Sequence, residues 1–145
     1  MCIRDRDWPT AHPEYRNADL EARWQEFLSY RSDLMRVLEG ARQAKTIGHA
    51  LDAAVTVYAE GETYDFLATW KDRLATLLIV SEATVVKGTA PENAVPGEEH
   101  EDMKIVVTAS THVKCERCWI HSESVGKDER HPTLCARCAA VLTQE

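Results

Sequence analysis

Two short stretches decide how the end of this chain folds: Lys114-Cys115-Glu116-Arg117-Cys118 and Leu134-Cys135-Ala136-Arg137-Cys138. Each contains a Cys-x-x-Cys pair, which turns the backbone tightly enough for both sulfurs to reach one metal ion at about 2.3 Å. The intervening segment, 119–134, has a length typical of zinc sites. The pattern therefore predicts a C-terminal zinc ribbon with the ligands Cys115, Cys118, Cys135 and Cys138.

The expected cofactor is one structural Zn²⁺ ion, although iron binds to the same set of four thiolates. Four protein ligands leave no coordination position for water or substrate, so no catalytic residue is predicted. The ion would also supply folding energy on the order of 10–16 kcal/mol to a segment that has few apolar side chains. Three alternatives stay open: two disulfides, a redox-active Cys-x-x-Cys pair, or His121 or His131 in place of one cysteine. Cys2 is left over and has no predicted role.

The charge pattern argues against bulk electrostatic binding of nucleic acid, because the 145-residue chain has a net charge of −7. The segment 88–102 contributes strongly, since it has no Lys or Arg and contains Glu92, Glu98, Glu99, Glu101 and Asp102. The ribbon from Lys114 to Cys138 is nearly neutral before the metal is counted. Local contact between the ribbon and nucleic acid is therefore compatible with the charge.

Four residues of the ribbon are candidate nucleic-acid contacts: Lys114, Arg117, Trp119 and Arg137. Basic groups beside an exposed aromatic ring suit phosphates and unstacked bases. In the alternative interpretation, Trp119 fills the small core of the ribbon and the basic groups offset the negative charge of the metal centre. The residue types alone leave both interpretations open.

The whole chain predicts an α+β fold: a long N-terminal helix, a small mixed α/β unit and the C-terminal four-cysteine zinc ribbon. An apolar period of three and four residues predicts a helix from an N-cap at Asn17 to about Lys45, with a weak point at Gly40. We expect the rest of the chain to cover only the C-terminal half of its apolar stripe. The remaining predicted elements are a strand at 53–58, a helix capped by Thr63 and running to 77, strands at 78–80, 83–87 and 104–108, and an exposed acidic excursion at 88–103.

The predicted domains are 1–48, 49–112 and 113–145. No stretch approaches 18 uncharged apolar residues, so no membrane span is expected. Residues 1–6 lack the apolar core of a secretory signal. We therefore expect a cytoplasmic protein, in a compartment where paired cysteines hold metal more often than they form disulfides.

Several motifs together resemble the C-terminal region of bacterial isoleucyl-tRNA synthetases. In the ribbon they are Lys-Cys-Glu-Arg-Cys-Trp at 114–119, Val125-Gly126 and His-Pro-Thr-Leu-Cys-Ala-Arg-Cys at 131–138. Upstream they are the stretch 38–48, which ends in Lys-Thr-Ile-Gly, the strand-like stretch 78–82, and Asp7-Trp8-Pro9. The ribbon is shared in outline with the Fpg DNA glycosylases, whereas the upstream motifs favour the synthetases. Residues 1–6 do not resemble the family and suggest an artificial or truncated start.

The resemblance implies that 1–48 is the last helix of an anticodon-binding bundle, 49–112 a junction domain with the acidic loop 88–103, and 113–145 a zinc finger. It implies isoleucine-specific tRNA and the upstream catalytic, editing and anticodon-binding domains of the same enzyme as partners. The resemblance also implies that the full enzyme uses ATP to charge the tRNA and that this region positions the tRNA through its anticodon side. The catalytic signatures His-Ile-Gly-His and Lys-Met-Ser-Lys-Ser are absent from the sequence, so this chain alone is expected to be inactive. A free-standing zinc adaptor that binds protein or nucleic acid, and a DNA glycosylase fragment, are the other hypotheses.

Overall fold

The computed structural model describes residues 9–143. The expectations for Cys2, for residues 1–6 and for Asp7-Trp8 lie outside the described residues. The elements are helix α1 (Ala18–Gln43), strand β1 (Ala53–Ala59), helices α2 (Gly61–Ala68) and α3 (Lys71–Leu78), strands β2 (Glu82–Lys87), β3 (Val95–Pro96) and β4 (Lys104–Ala109), and helix α4 (Ala136–Leu142). The predicted α+β class is confirmed. No helix within the described part of the chain is long and apolar enough to cross a membrane.

Helix α1 begins where the sequence predicts. The Asn17 side chain accepts a hydrogen bond from the backbone N–H of Leu20 at 3.0 Å, which satisfies one of the free donors of the first turn. The helix passes through Gly40 without a break and ends at Gln43, two residues before the predicted end. Lys45 adopts a left-handed conformation with φ of 60°, which turns the chain towards the sheet.

The sheet has the strand order β2-β1-β4-β3, in which β1 is parallel to β2 and antiparallel to β4. Strand β1 is central, and its alternate residues Ala53, Val55, Val57 and Ala59 are buried, as the period of two predicts. One apolar core joins the sheet to α1, α2 and α3; its fully buried members include Phe27, Leu34, Leu67, Leu74, Leu78 and Ile105.

The N-terminal half of α1 is less covered than the rest of the helix. Its buried side chains begin at Phe27, whereas Leu20 and Leu28 are nearly half exposed. Trp24 packs against Trp70 with ring centroids 4.9 Å apart, and a groove of about 430 Å³ runs beside it. The expectation that this chain covers only the C-terminal half of the helix is therefore wrong for Phe27 and Tyr30, which are buried in the N-terminal half, and it holds for the residues before them.

Two predictions about the middle of the chain are wrong. The single helix from Thr63 to residue 77 is two helices, α2 and α3, which are separated at Thr69 and Trp70. Thr63 does not cap a helix; it is buried inside α2 and donates its hydroxyl to Asp102. The predicted strand 78–80 does not form, because Leu78 ends α3 and Ile79 has a φ of 58°. This left-handed residue ends the helix and redirects the chain into β2.

The sequence did not predict β3 or α4. Strand β3 lies inside the segment 88–103, where it pairs with the start of β4. Helix α4 begins directly after Cys135, so the second Cys-x-x-Cys pair lies on a helical turn.

The acidic segment 88–103 has exposed glutamates, as predicted, but its backbone is anchored to α1. The buried carboxylate of Asp33 accepts backbone N–H hydrogen bonds from Glu98 at 2.9 Å, Glu99 at 3.2 Å and His100 at 3.0 Å. Gly97 is required at the turn, because a Cβ atom there would lie 2.4 Å from the His100 carbonyl oxygen and 2.6 Å from Asp33 Oδ2. One helical carboxylate therefore anchors residues 98–100, while the pairing of β3 with β4 holds residues 95–96.

The anchoring bonds favour the ionised form of Asp33. Burial by itself would raise the pKa of this carboxyl, but the N–H donors of Glu98, His100 and Glu99 outweigh burial and hold the pKa below its ordinary value. A carboxyl whose pKa is lowered by folding stabilises the fold above its ordinary pKa, and this contribution is lost as the pH falls through the folded-state value.

We predict that Asp33→Ala lowers the free energy of unfolding by about 2–4 kcal/mol, because three backbone donors lose a buried acceptor. Urea denaturation near neutral pH measures the effect, and Glu26→Ala, which removes an exposed carboxylate from the same helix, is the control. The difference between wild type and Asp33→Asn should shrink as the pH falls below about 4. Equal stability of Asp33→Ala and wild type at neutral pH would contradict the anchoring role.

Candidate metal centre

The first cysteine pair lies in a tight turn whose two ends, Lys114 and His121, are joined by an isolated antiparallel bridge. The backbone N–H of Cys115 donates to the carbonyl of Ile120 at 2.9 Å, and the N–H of Trp119 donates to the carbonyl of Cys115 at 2.9 Å. These bonds close the loop that contains Cys118. Both sulfurs of the pair are thereby directed towards the same point.

The second pair lies at the start of α4. Cys135 is the N-cap residue, and its carbonyl accepts the N–H of Ala139 at 3.0 Å. Cys138 follows within the first helical turn, so the two sulfurs lie on the same side of the helix start. The run Ala136–Leu142 contains good helix formers, and this feature of the sequence could have predicted α4.

The four sulfur atoms all lie within 4.8 Å of one another. They form the cluster of potential metal ligands among the residues that the structure describes. Cys118 Sγ and Cys135 Sγ are 3.8 Å apart. Tetrahedral coordination with Zn–S bonds of about 2.3 Å has edges of about 3.8 Å, so this separation fits one zinc ion. His121 and His131 do not belong to the cluster.

The electrostatic surroundings of the sulfurs differ. Burial opposes ionisation of Cys115, but N–H donors from Cys118, Cys135 and Arg117 lower the pKa of this thiol to about 6. Burial and the neighbouring sulfurs raise the pKa of Cys135. Four thiols packed this closely do not all lose their protons through protein contacts alone, whereas a divalent cation stabilises all four thiolates. The donor set therefore fits a cation with a preference for sulfur.

Few apolar contacts support this part of the fold. The buried cluster consists of Cys115, Cys135 and Cys138, and Val125 and Leu134 pack against it together with Cys118. Gly126 turns the hairpin with a φ of 85°, a conformation that favours glycine. Two aliphatic side chains cannot stabilise a unit of this size, so the metal has to supply most of the folding energy.

The structure places the other predicted site residues around the sulfurs. Trp119 is 57% exposed with a φ of 66°, so it does not fill the core of the finger. Lys114 Nζ lies 5.4 Å from the centre of the Trp119 ring. Arg117 Nη1 donates to Cys138 Sγ at 3.7 Å, and a hydrogen bond to Cys118 raises the pKa of Arg137. Both arginines therefore do offset thiolate charge.

The fold and the site define a structural zinc-finger module that is attached to a small α+β unit. A family model described as "Zinc finger found in FPG and IleRS" matches residues 114–141. This match and the four-sulfur cluster confirm one structural zinc as the cofactor.

The chain as a whole is similar to isoleucine–tRNA ligases. It is 42% identical over 141 residues to the isoleucine–tRNA ligase of Caldanaerobacter subterraneus subsp. tengcongensis, covering 96% of this chain and 15% of the relative. It is 45% identical over 130 residues to that of Syntrophotalea carbinolica, covering 89% of this chain and 14% of the relative. The predicted resemblance to the C-terminal region of bacterial isoleucyl-tRNA synthetases is confirmed. The chain spans about 15% of the length of the relatives.

We predict that Cys138→Ser releases the zinc ion and unfolds residues 113–142, while the α+β unit stays folded on its separate core. Metal analysis of reduced protein and an amide NMR spectrum measure the two effects, and Cys2→Ser is the control. A Cys138→Ser variant with a full equivalent of zinc and an unchanged spectrum would exclude Cys138 as a ligand.

Proposed function

We propose that this chain is the C-terminal tRNA-binding region of an isoleucine–tRNA ligase. The supporting observation is the extent of the similarity, which covers 96% of the chain and so includes α1 and the sheet as well as the finger. In this proposal the region positions isoleucine tRNA through its anticodon side, within a cytoplasmic enzyme. Its contribution to catalysis is the orientation of the tRNA, because the ATP-dependent chemistry belongs to upstream domains.

The proposal includes the ligand assignment: Cys115, Cys118, Cys135 and Cys138 bind the zinc ion. The close approach of the four sulfurs supports this assignment. When the zinc ion is bound, the centre holds the loop 115–120 and the start of α4 together. The role of the metal is to present a rigid surface to the tRNA.

Trp119 and Lys114 are the proposed centre of the RNA contact. An exposed indole ring can stack on an unpaired base, and a lysine beside it can contact a phosphate. Arg117 and Arg137 are exposed beside the sulfurs and extend the surface. Each guanidinium has five N–H donors, so a bond to a sulfur leaves further donors for phosphate oxygens.

The distribution of charge supports contact at the finger. Strand β4 begins at Lys104, beside the acidic segment, and ends at Ala109, where the chain leaves for the finger. A strand of six residues spans about 20 Å, so the acidic loop and the entry to the finger lie at opposite ends of the sheet. This separation exceeds the Debye length of about 8 Å at physiological salt. The loop therefore does not oppose the approach of phosphate to the finger.

The half-exposed stripe of α1 is the proposed contact with the upstream domains of the ligase. Leu20, Trp24 and Leu28 line one side of the groove beside the helix. In a protein several times longer than this chain, a neighbouring element can cover these apolar side chains. A free-standing adaptor could use the same stripe for a different protein, and the first experiment below separates the two functions.

We predict that the chain restores charging of isoleucine tRNA when it is added to a ligase that lacks the corresponding region. Leu28→Glu should abolish the restoration, because a charge in the apolar groove prevents docking. Ser32→Glu, at an exposed position of the same helix, should restore activity as well as wild type. Failure of the wild-type chain to restore any charging would contradict the proposed function.

We predict that Trp119→Ala weakens binding of isoleucine tRNA by about 1–3 kcal/mol, the typical contribution of one stacked base. Trp119→Phe should keep most of the affinity. Arg117→Ala should reduce the salt dependence by about one phosphate contact. Fluorescence anisotropy at several salt concentrations measures both effects, after the zinc content of each variant has been checked.

Arg130→Ala is the matched control, because Arg130 is an exposed finger arginine that pairs with Asp128. It should bind tRNA like wild type. Wild-type affinity of zinc-loaded Trp119→Ala would remove Trp119 from the RNA surface.

A further inference from the structure

The finger is joined to the sheet by polar contacts. The core of the α+β unit and the sulfur cluster share no residue within 9–143. At the joint, the backbone N–H of His121 donates to Ser81 Oγ at 2.7 Å, and the Ser81 hydroxyl donates to the Leu51 carbonyl. The orientation of the finger therefore depends on a small number of hydrogen bonds and charges.

The His121 ring lies at the centre of this joint. Nδ1 is 2.8 Å from the carbonyl oxygen of His112, and Nε2 is 3.3 Å from Asp52 Oδ1. The Nε2 atom is buried, and its contact with Asp52 is an ion-pair contact whose alignment falls short of a hydrogen bond. Both ring nitrogens thus face oxygen acceptors. Neutral imidazole carries only one N–H, whereas the imidazolium ion can donate from both nitrogens.

The other charged groups at the joint favour an ionised Asp52. Its Oδ2 accepts the backbone N–H of His49 at 2.8 Å. Burial opposes ionisation, but the His49 bond, His121 and the positive charge of Lys114 together lower the pKa of Asp52. Asp52 is therefore a carboxylate throughout the range in which histidines titrate.

A second histidine pair supports the same linkage. His112 Nε2 lies 3.4 Å from Glu82 Oε2 on β2, and the Ser110 hydroxyl donates to the other oxygen of Glu82. The segment that connects β4 to the finger is thus held by the Glu82 carboxylate at the start of β2. The Asp52 carboxylate, just before β1, contacts His121 of the finger itself.

We propose that His121 is a positioning residue: its ring, held between the Asp52 carboxylate and the carbonyl of His112, fixes the orientation of the finger on the sheet. The bridge between His121 and Lys114 connects the joint to the Lys114–Trp119 pair. A change in the joint therefore moves the surface that the proposed function assigns to tRNA. The expected effect on tRNA binding rests on the proposed function, whereas the role of His121 in orienting the finger does not.

The test compares wild type, Asp52→Asn and His121→Asn by amide NMR relaxation and residual dipolar couplings, with the zinc content measured in each sample. His121→Asn keeps a donor near the position of Nδ1 and removes Nε2, whereas Asp52→Asn removes the charge outside the finger. Each should reduce the ratio of docked to undocked finger about tenfold, the typical effect of losing a charge-assisted contact. The double variant should lose no more than either single variant.

His131→Asn, which alters a finger histidine outside the joint, is the control and should behave like wild type. If His121→Asn loses zinc, Asp52→Asn decides the test, because it leaves the finger sequence intact. An unchanged orientation of the finger in zinc-loaded Asp52→Asn would overturn the proposal. Measurement of tRNA affinity in the same samples separates the two claims, since reorientation with unchanged affinity would contradict only the RNA role of the finger.

Discussion

The convergence of four sulfur atoms is the constraint on which the C-terminal part of this molecule depends. The loop after Lys114 and the start of α4 contribute one cysteine pair each, and within residues 9–143 the aliphatic side chains packed against this cluster are Val125 and Leu134. Thiolates at this distance repel one another unless a cation lies between them. The metal therefore determines the fold of the finger, and the position of the exposed Trp119 ring follows from that fold.

The α+β unit is held by different forces. Its core is apolar and joins α1 to the sheet, and the buried carboxylate of Asp33 anchors residues 98–100 of the acidic segment to α1. The same unit keeps its negative loop at the end of the sheet opposite to the finger. The two parts of the chain thus combine an apolar core, a metal centre and a polar joint around His121. Each of these contributes separately to the geometry of the proposed tRNA surface.

The sequence was sufficient for those features that a local pattern encodes. Two cysteine pairs predict the metal site, Asn17 predicts the start of α1, and alternating apolar residues predict β1. Features that depend on contacts between distant residues could not be predicted in the same way. Aspartate is usually exposed, and Asp33 is buried only because the backbone of residues 98–100 folds over it. The apolar run at 78–80 suggested a strand, whereas Ile79 in fact ends helix α3. The polar joint was missed because its residues are far apart in the sequence.

The most direct test of the account is native mass spectrometry of the reduced chain, with amide spectra recorded before and after chelation of the metal. The account predicts one zinc ion per chain, and loss of the finger resonances on chelation with little change in the α+β unit. Metal-free protein with a fully folded finger would contradict it.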